Sequence, residues 1–405
     1  MIIDIVHPEN LANPYPLYRH LQEHDPVHWA PSIFSWFVTR YSDVAACLRD
    51  PRLSSVRTMA SAALMLRGRD VSIVKDYLRV TEQFMFMIDG PEHVRLRKHA
   101  SHGFTTSALD TFRPIIVNIV DSLLAQMEGK TGIELVTEFA EPLPAITMAE
   151  LFDIPKEDRA KFQGWTDAMA RFFGGSLADI EQVAREANEG MLGMEAYLTH
   201  TIALRRKNPG RDLISLLLSY EEDGKMSTAE LVANTIDLLA AGLATVKDQI
   251  GNTVYELLSR PEILARVRQD PALLKAAIEE ALRCNPAAPN TYRIASEDLE
   301  LCGKQIQKGQ LVFVSLAAAN RDPEVFSDPD RFDIDRQPNK HIAFGVGPHA
   351  CLGLGLARRQ LELGIGGLLR RFPHLHFDPQ NPPQPRRDNF VFSGWNSLHL
   401  VFAQP

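Results

Sequence analysis

The chain has 405 residues, 45% hydrophobic and 23% charged, a globular composition with material for a large core that excludes an intrinsically disordered chain. A net charge of −8 argues against nucleic acid as the main partner, since neutralising phosphate backbones takes a basic surface. Its four cysteines lie far apart with no CxxC pair, which points away from a disulfide framework and towards free thiols in a reducing cytosol.

The first residues, MIIDIVHPEN, show no secretory leader, and no apolar run approaches the ~20 residues of a membrane helix, so a cytoplasmic protein is expected. No Ser/Gly linker, repeat or low-complexity tract divides the chain, and one unit spanning residues 1–405 is the economical expectation. Residues 14–50 mix a short helical pattern, PYPLYRHLQ, with strand-like SWFVTRY. Apolar residues at spacings of three and four then predict helices over 91–128, 140–152, 156–173, 179–206, 227–259 and 271–284. Residues 290–316 return to β-branched runs broken by Gly303 and Gly309. After Pro323 the chain is irregular (RDPEVFSDPDRFDIDR), crosses a glycine-studded loop and enters a helix, LGLARRQLELGIGGLLRRF. The tail ends in strand-like alternation. A mainly α fold follows, with a small β part at about 25–60, 290–318 and 375–405.

In HIAFGVGPHACLGLGLARRQ, Cys351 stands among Gly345, Gly347, Gly353 and Gly355, directly before that helix. A lone intracellular cysteine is most often a small buried hydrophobe. Here the glycines let backbone N–H groups approach the sulfur, and the helix N-terminus favours a thiolate. Such a thiolate is a metal ligand or a nucleophile. No second cysteine or histidine stands at zinc spacing, which also counts against a zinc or thiol hydrolase. A single anionic sulfur suits a metal whose other positions a macrocycle fills, and that points to haem iron.

FGVGPHACLG resembles the cysteine-ligand loop of the cytochrome P450 family at Phe344, Gly347, Cys351 and Gly353, and the resemblance covers nearly the whole chain. It implies the P450 fold, with haem b buried between a long central helix and the cysteine loop, and Cys351 as axial thiolate. Phe344, Gly345 and Gly353 then belong to the cofactor's cradle. EEALR supplies Glu280 and Arg283, on its own an i,i+3 pair worth ~0.2 to 0.5 kcal/mol; with Arg331 of DPDRF it looks like the family's buried Glu-Arg-Arg network. DGPEHVRLRKHASHGF looks like the helix whose His93 and Arg97, four residues apart on one face, reach the haem propionates, a solvated basic helix being the alternative. Arg293 and His349 match the remaining propionate positions, with His341 a weaker candidate.

NTIDLLAAGLATVKDQIGNTVYELL is apolar nearly all round in its first half and resembles the central helix across the distal haem face. Ala241, Gly242 and Thr245 fit the family's small-Gly-x-acid-Thr pattern, whose glycine and hydroxyl loosen the helix ladder beside dioxygen. Close packing of Gly242 on a neighbouring helix is the alternative. Ala244 stands where the family carries an acid, so half of the acid-alcohol pair for proton delivery is missing. Asp248, one turn on, is either a substitute or part of a separate polar patch with Lys247 and Gln249. Thr245 with ordered water, or a polar group of the substrate, is expected to supply the protons; use of hydrogen peroxide is the alternative.

The implied activity is monooxygenation of a hydrophobic or aromatic small molecule, in secondary metabolism, with hydroxylation, oxidative coupling and desaturation all open. Candidate pocket residues are Phe84, Met85, Phe86, Leu239, Leu243, Ala288, Asn290, Thr291, Phe392 and Trp395, with core packing as the alternative for each. WTDAMARFFGGSLADI resembles the lid helices, with Gly174 and Gly175 as a hinge. No flavin or ferredoxin segment is recognisable, so a separate ferredoxin with its reductase, or a flavodoxin, is the expected donor, received by Arg95, Lys98, Arg358 and Arg359. A monomer is expected. A haem sensor or carrier is the rival from another class.

Overall fold

The computed structural model describes residues 3–66, 68–173, 179–220 and 226–402. Five short strands form the main sheet: β1 (Val27–Ala30), β2 (Ser35–Val38), β3 (Leu53–Ser54), β4 (Asn290–Ala295) and β5 (Leu311–Ser315), in the order β1-β2-β5-β4-β3. The early hairpin β1-β2 joins the late one through the parallel pair β2-β5, with Phe37 opposite Phe313. Every residue of β5 is buried, as its unbroken apolar run LVFVS requires of a strand covered on both faces. The tail contributes a second sheet in which His399–Phe402 lies between Leu375–Phe377 and Gly132–Glu134, pairing with both.

The helices follow the apolar periodicity. Pro142–Leu151, Arg159–Phe173, Ile180–Lys207, Thr228–Leu258 and Leu274–Cys284 stand within three residues of the expected bounds, and Leu354–Arg371 follows the cysteine loop. The expected helix over 91–128 is two, Gly90–Ser101 and Thr106–Ala125. Between them Gly103 lies so close to Leu213 that a Cβ would stand 2.4 Å from its Cδ1, and the Thr105 hydroxyl caps the second helix at the Ala108 amide (3.3 Å). Thr58–Leu66, Lys75–Thr81, Leu213–Ser219 and Pro261–Gln269 are further helices that the apolar spacing did not show.

The central helix, Thr228–Leu258, is the organising element. A capping box fixes its start: Ser227 Oγ accepts from the Glu230 amide (3.1 Å) while the Glu230 carboxylate accepts from the Ser227 amide (2.7 Å). It packs against Pro142–Leu151, Ile180–Lys207, Leu274–Cys284 and Leu354–Arg371. Contrary to the sequence expectation, this helix is long and apolar enough to cross a membrane, but 56% of its most apolar window is buried within the protein, as a core helix would be.

Candidate active site

The loop before Cys351 is closed by its own backbone. The Cys351 N–H donates to the Phe344 carbonyl (2.8 Å), Gly345 N–H to Ile342 (2.8 Å) and Ala350 N–H to Gly347 (3.1 Å). Gly347 has φ +83°, and a Cβ there would stand 2.7 Å from the Leu48 carbonyl, so no other residue fits this turn without moving that backbone. Arg358 lies over the Phe344 ring at 4.8 Å. The amides of Gly353 and Leu354 at the helix start favour the thiolate form of the sulfur. They do not produce a thiolate unaided: burial raises the thiol above its ordinary value, and these amides, with Arg97 and Arg358, only partly oppose it. A metal bonded to the sulfur supplies the missing positive charge. Cys351 keeps accessible surface although protein crowds it, the mark of a group on an internal cleft.

The central helix has a matching stretch. Residues 231–239 and 248–254 are largely buried, whereas Ala240 to Thr245 are accessible, Ala241 most of all. The Thr245 hydroxyl donates to the Ala241 carbonyl (2.9 Å), yet the helix is regular through this segment, so the expected loosening of the ladder is not present. Gly242 follows its packing alternative: a Cβ would come 2.8 Å from Met148 Sδ. Asp248 is not available as a relay, because it binds Arg386 through both oxygens (3.0 and 2.5 Å).

Beside the cysteine loop the structure gathers His93, Arg97, Arg293 and His349. The rings of His93 and His349 stack at 4.0 Å. His93 Nε2 and His349 Nδ1 are buried without a partner. Burial, then His349 and Arg97, pushes His93 down to about 4. Arg293 is buried and donates only to the neighbouring Tyr292 carbonyl (2.9 Å); burial and then Arg57 depress it to about 9. Arg97 donates to the Ala350 carbonyl (2.6 Å). One carboxylate stands here among the described residues, Asp89, which takes His349 Nε2 (3.0 Å), Ser54 Oγ (2.6 Å) and the Ser55 amide (2.9 Å). Burial notwithstanding, those bonds hold it well below the usual carboxylate range. A cluster of buried cationic and imidazole donors so short of carboxylates fits the two acidic side chains of a haem. Asp89 and Arg57 were missed in the sequence. Asp89 is legible only as the residue before Gly90 at the helix start; Arg57, stacked on Tyr292 at 4.6 Å with Nε unpartnered, carried no spacing signal.

Two candidates are corrected. His341 Nε2 meets Glu279 (2.9 Å), which Arg358 also binds through Nε (2.6 Å) and a second nitrogen (2.7 Å), so His341 is no propionate contact. Glu280 and Arg283 are fully buried and bidentate (2.8 and 2.7 Å), but the third arginine is Arg336, whose Nε donates to Glu280 at 3.2 Å. Arg331 is exposed and offers only its backbone carbonyl to Arg283 (2.9 Å).

Of the pocket candidates, Phe84, Phe86 and Phe392 join through Phe173 in one aromatic row with ring centroids 5.8 to 6.1 Å apart. Asn234 of the central helix holds this region, accepting the Met85 N–H (2.8 Å) and donating to the Gln83 carbonyl (3.0 Å). Met85 and Leu239 are buried in the core, while Leu243 and Ala288 are half-buried. Thr291 shares a strand face with Arg293, but Asn290 points the other way and donates to the Phe390 carbonyl (2.9 Å). Trp395 is half-buried and packs against the core: its ring lies 4.2 Å from Tyr255 and against Gly251. A small, mainly apolar cavity beyond the aromatic row is lined by Ala62, Met65, Tyr77, Met87, Phe173 and Tyr292, among others, with Thr58, Ser61 and Thr81 as its hydroxyl groups. The proposed hinge, Gly174 and Gly175, lies outside the described residues. Of the basic residues assigned to a redox partner, Arg358 pairs with Glu279, Arg359 with Asp110, and Arg95 with Glu92 and Glu230; Lys98 is exposed with no ion pair among the described residues.

Comparison with known proteins agrees with this geometry. A family model described as Cytochrome P450 matches residues 59–395. The chain is 36% identical over 370 residues to a Biotin biosynthesis cytochrome P450 of Bacillus subtilis (strain 168), covering 91% of each. It is 40% identical over 343 residues to Cytochrome P450 107B1 of Saccharopolyspora erythraea, covering 84% of this chain and 82% of that one. Its fold matches the crystal structure of P450BioI in complex with an acyl carrier protein ligated to hexadec-9Z-enoic acid, with TM-score 0.89, 35% identity, and coverage of 98% and 99%.

Proposed function

The chain belongs to the cytochrome P450 family of haem-thiolate monooxygenases, and from that premise we propose that it oxidises a hydrophobic or aromatic small molecule in a biosynthetic role, using dioxygen and a separate ferredoxin or flavodoxin. The observation that carries this reading is the Cys351 sulfur, which keeps accessible surface at the start of the helix Leu354–Arg371, where the Gly353 and Leu354 amides favour its thiolate. Haem b, bound through Cys351, supplies the oxygen-activating chemistry. Arg97, Arg293, His93 and His349 would hold its carboxylates, and Arg57 adds a further positive charge beside them. Phe86, Phe173 and Phe392 orient an apolar substrate and exclude water.

The protons come from an ordered water or a polar group of the substrate, positioned by Thr245. Its hydroxyl is tied to Ala241 by the hydrogen it donates, leaving lone pairs to accept from an ordered water or a substrate hydroxyl. Ala244 offers nothing and Asp248 is held by Arg386. The absence of a free acid at the positions next to Thr245 favours a second reading, in which hydrogen peroxide brings its own protons and electrons. The whole chain acts as one cytoplasmic catalytic unit. Electrons enter on the cysteine side near Lys98, since the neighbouring arginines are already paired.

The test is spectral and then catalytic. The purified protein, reduced under carbon monoxide, should give the thiolate-ligated absorption band, and Cys351→Ser should lose it; the band of an imidazole-ligated haem in the wild type overturns the assignment. Product formed from dioxygen with a ferredoxin and reductase supports the oxygenase. Equal yield from peroxide without reductase supports the second reading instead.

A further inference from the structure

Six carboxylates are buried among the described residues: Asp212, Asp237, Asp248, Glu256, Glu280 and Asp322. Five have partners. Arg205 binds Asp212, Arg386 binds Asp248, Arg260 binds Glu256, and Arg283 with Arg336 binds Glu280, while Asp322 accepts the amides of Tyr41 and Glu324. Asp237 has none, neither a hydrogen bond nor an ion pair, although only 6% of its surface is accessible. An unpartnered buried carboxyl is among the costlier things a fold can carry, so its partner is to be sought in a ligand.

Its position says which ligand. Asp237 lies one helical turn before Ala241 and two before Thr245, so the three follow one another along the side of the central helix that becomes accessible at Ala240 to Thr245. At 1.5 Å per residue, Asp237 is about 12 Å along the axis from Thr245, a span suited to one end of a substrate whose other end is being oxidised. Tyr77 lies within electrostatic reach of Asp237 and lines the small cavity with Thr81, Phe173 and Tyr292; its own ring meets Phe172 edge-on at 5.2 Å. A carboxyl with an aromatic ring within electrostatic reach suits an alkylated ammonium, which ion pairing and cation–π contact can both hold. A neutral hydroxyl or carbonyl needs only an amide or hydroxyl partner, at a smaller desolvation cost than an acid.

Resting on the P450 reading above, we propose that Asp237 anchors a cationic nitrogen of the substrate, making the preferred substrate class a hydrophobic molecule that carries an amine about two helical turns from the oxidised position. Burial alone lifts the free carboxyl to about 8, and a bound cation restores its charge.

The holoenzyme is titrated with octyltrimethylammonium and with the same octyl chain ending in a neutral tert-butyl group, following haem absorbance; a quaternary nitrogen has no lone pair and so cannot ligate the iron. The cation should bind tenfold tighter or more in the wild type. Asp237→Asn should bring the ratio close to one while leaving the neutral probe's Kd within twofold. Equal binding of both probes by the wild type, or an unchanged ratio in the variant, overturns the proposal. So does stronger binding of a methyl ketone of the same length that the variant loses, since Asp237 would then act as a neutral donor. In the ligand-free protein the variant should hold or raise Tm, and a clear fall would mark Asp237 as structural. The carbon monoxide spectrum of both proteins separates these outcomes from failure of the haem assignment itself.

Discussion

Arg336, and not Arg331, completes the buried ion network, and the two positions allow a paired test. In Arg336→Leu, Glu280 loses one donor (3.2 Å) but keeps both nitrogens of Arg283, the Asp333 amide (2.8 Å) and Asn339 (3.1 Å). Removing one partner of a buried pair costs about 3–5 kcal/mol when the remaining charge is left uncompensated. Because most of the compensation stays, the loss falls below that range, at about 2–3 kcal/mol, including the lost bond to the Ser327 carbonyl (2.8 Å). Arg331→Leu removes an exposed side chain and should stay within about 0.5 kcal/mol. For 405 residues the unfolding entropy is of order 0.85 kcal/mol/K, so Arg336→Leu should lower Tm by about 3 °C and Arg331→Leu by less than about 1 °C. Urea midpoints of the two holoproteins, compared at unchanged m, provide the assay. A larger loss at Arg331 than at Arg336, or equal losses, would refute the assignment.

Gly242→Val places a branched side chain where a Cβ already meets Met148 Sδ at 2.8 Å, and overpacking should cost about 1–3 kcal/mol in chemical denaturation; an unchanged midpoint contradicts that packing. Ala244→Asp should raise product formed per electron consumed, since Asp248 is held by Arg386 and the residue directly before Thr245 is not an acid; unchanged coupling means that Thr245 and its surroundings already suffice. Against the desolvation of its burial, Arg358 and His341 draw Glu279 down to about 2 from 4.5. Its contribution is therefore complete above pH 4.5 and lost as pH falls towards 2, so the Tm difference between wild type and Glu279→Gln should close across that window. A difference that stays constant from pH 6 to 2.5 would exclude the carboxylate as its source.

The sequence made the helices and the cysteine loop legible because both leave local marks: apolar residues at three and four spacings, and a cysteine ringed by glycines before a helix. The Ser227 and Glu230 capping pair, three residues apart, fixes the start of the central helix, a local mark that the apolar spacing did not draw on. What failed were assignments that depend on which partner a charged side chain meets. Arg331 and Arg336 stand five residues apart in one irregular stretch, and nothing local says that the backbone around Pro329 turns the second inward. Asp248 read as a possible relay until Arg386, far along the chain, was seen to hold it. Asn290 and Trp395 look like pocket residues because they are near in sequence to the other candidates; strand alternation sends Asn290 the other way, and Trp395 packs on Tyr255.

The same dependence on partners is what organises the site. Next to the cysteine loop, Arg293 and Arg57 are buried without an anion of their own, and two imidazoles hold unpartnered nitrogens. Along the central helix the imbalance is reversed, with Asp237 buried and no cation near it. Neither imbalance lowers the free energy of the folded chain by itself, since each leaves polar groups desolvated without compensation. Each is tolerable only if a ligand of opposite sign completes it. The excess of positive charge matches the carboxylates of a porphyrin, which every turnover shares. The single negative charge faces the region that changes its occupant, so it bears on which molecule is chosen and not on how oxygen is activated. If that division holds, substitutions at Arg293 should weaken haem retention for any substrate, whereas Asp237→Asn should leave haem retention alone and change only the ranking of cationic against neutral ligands.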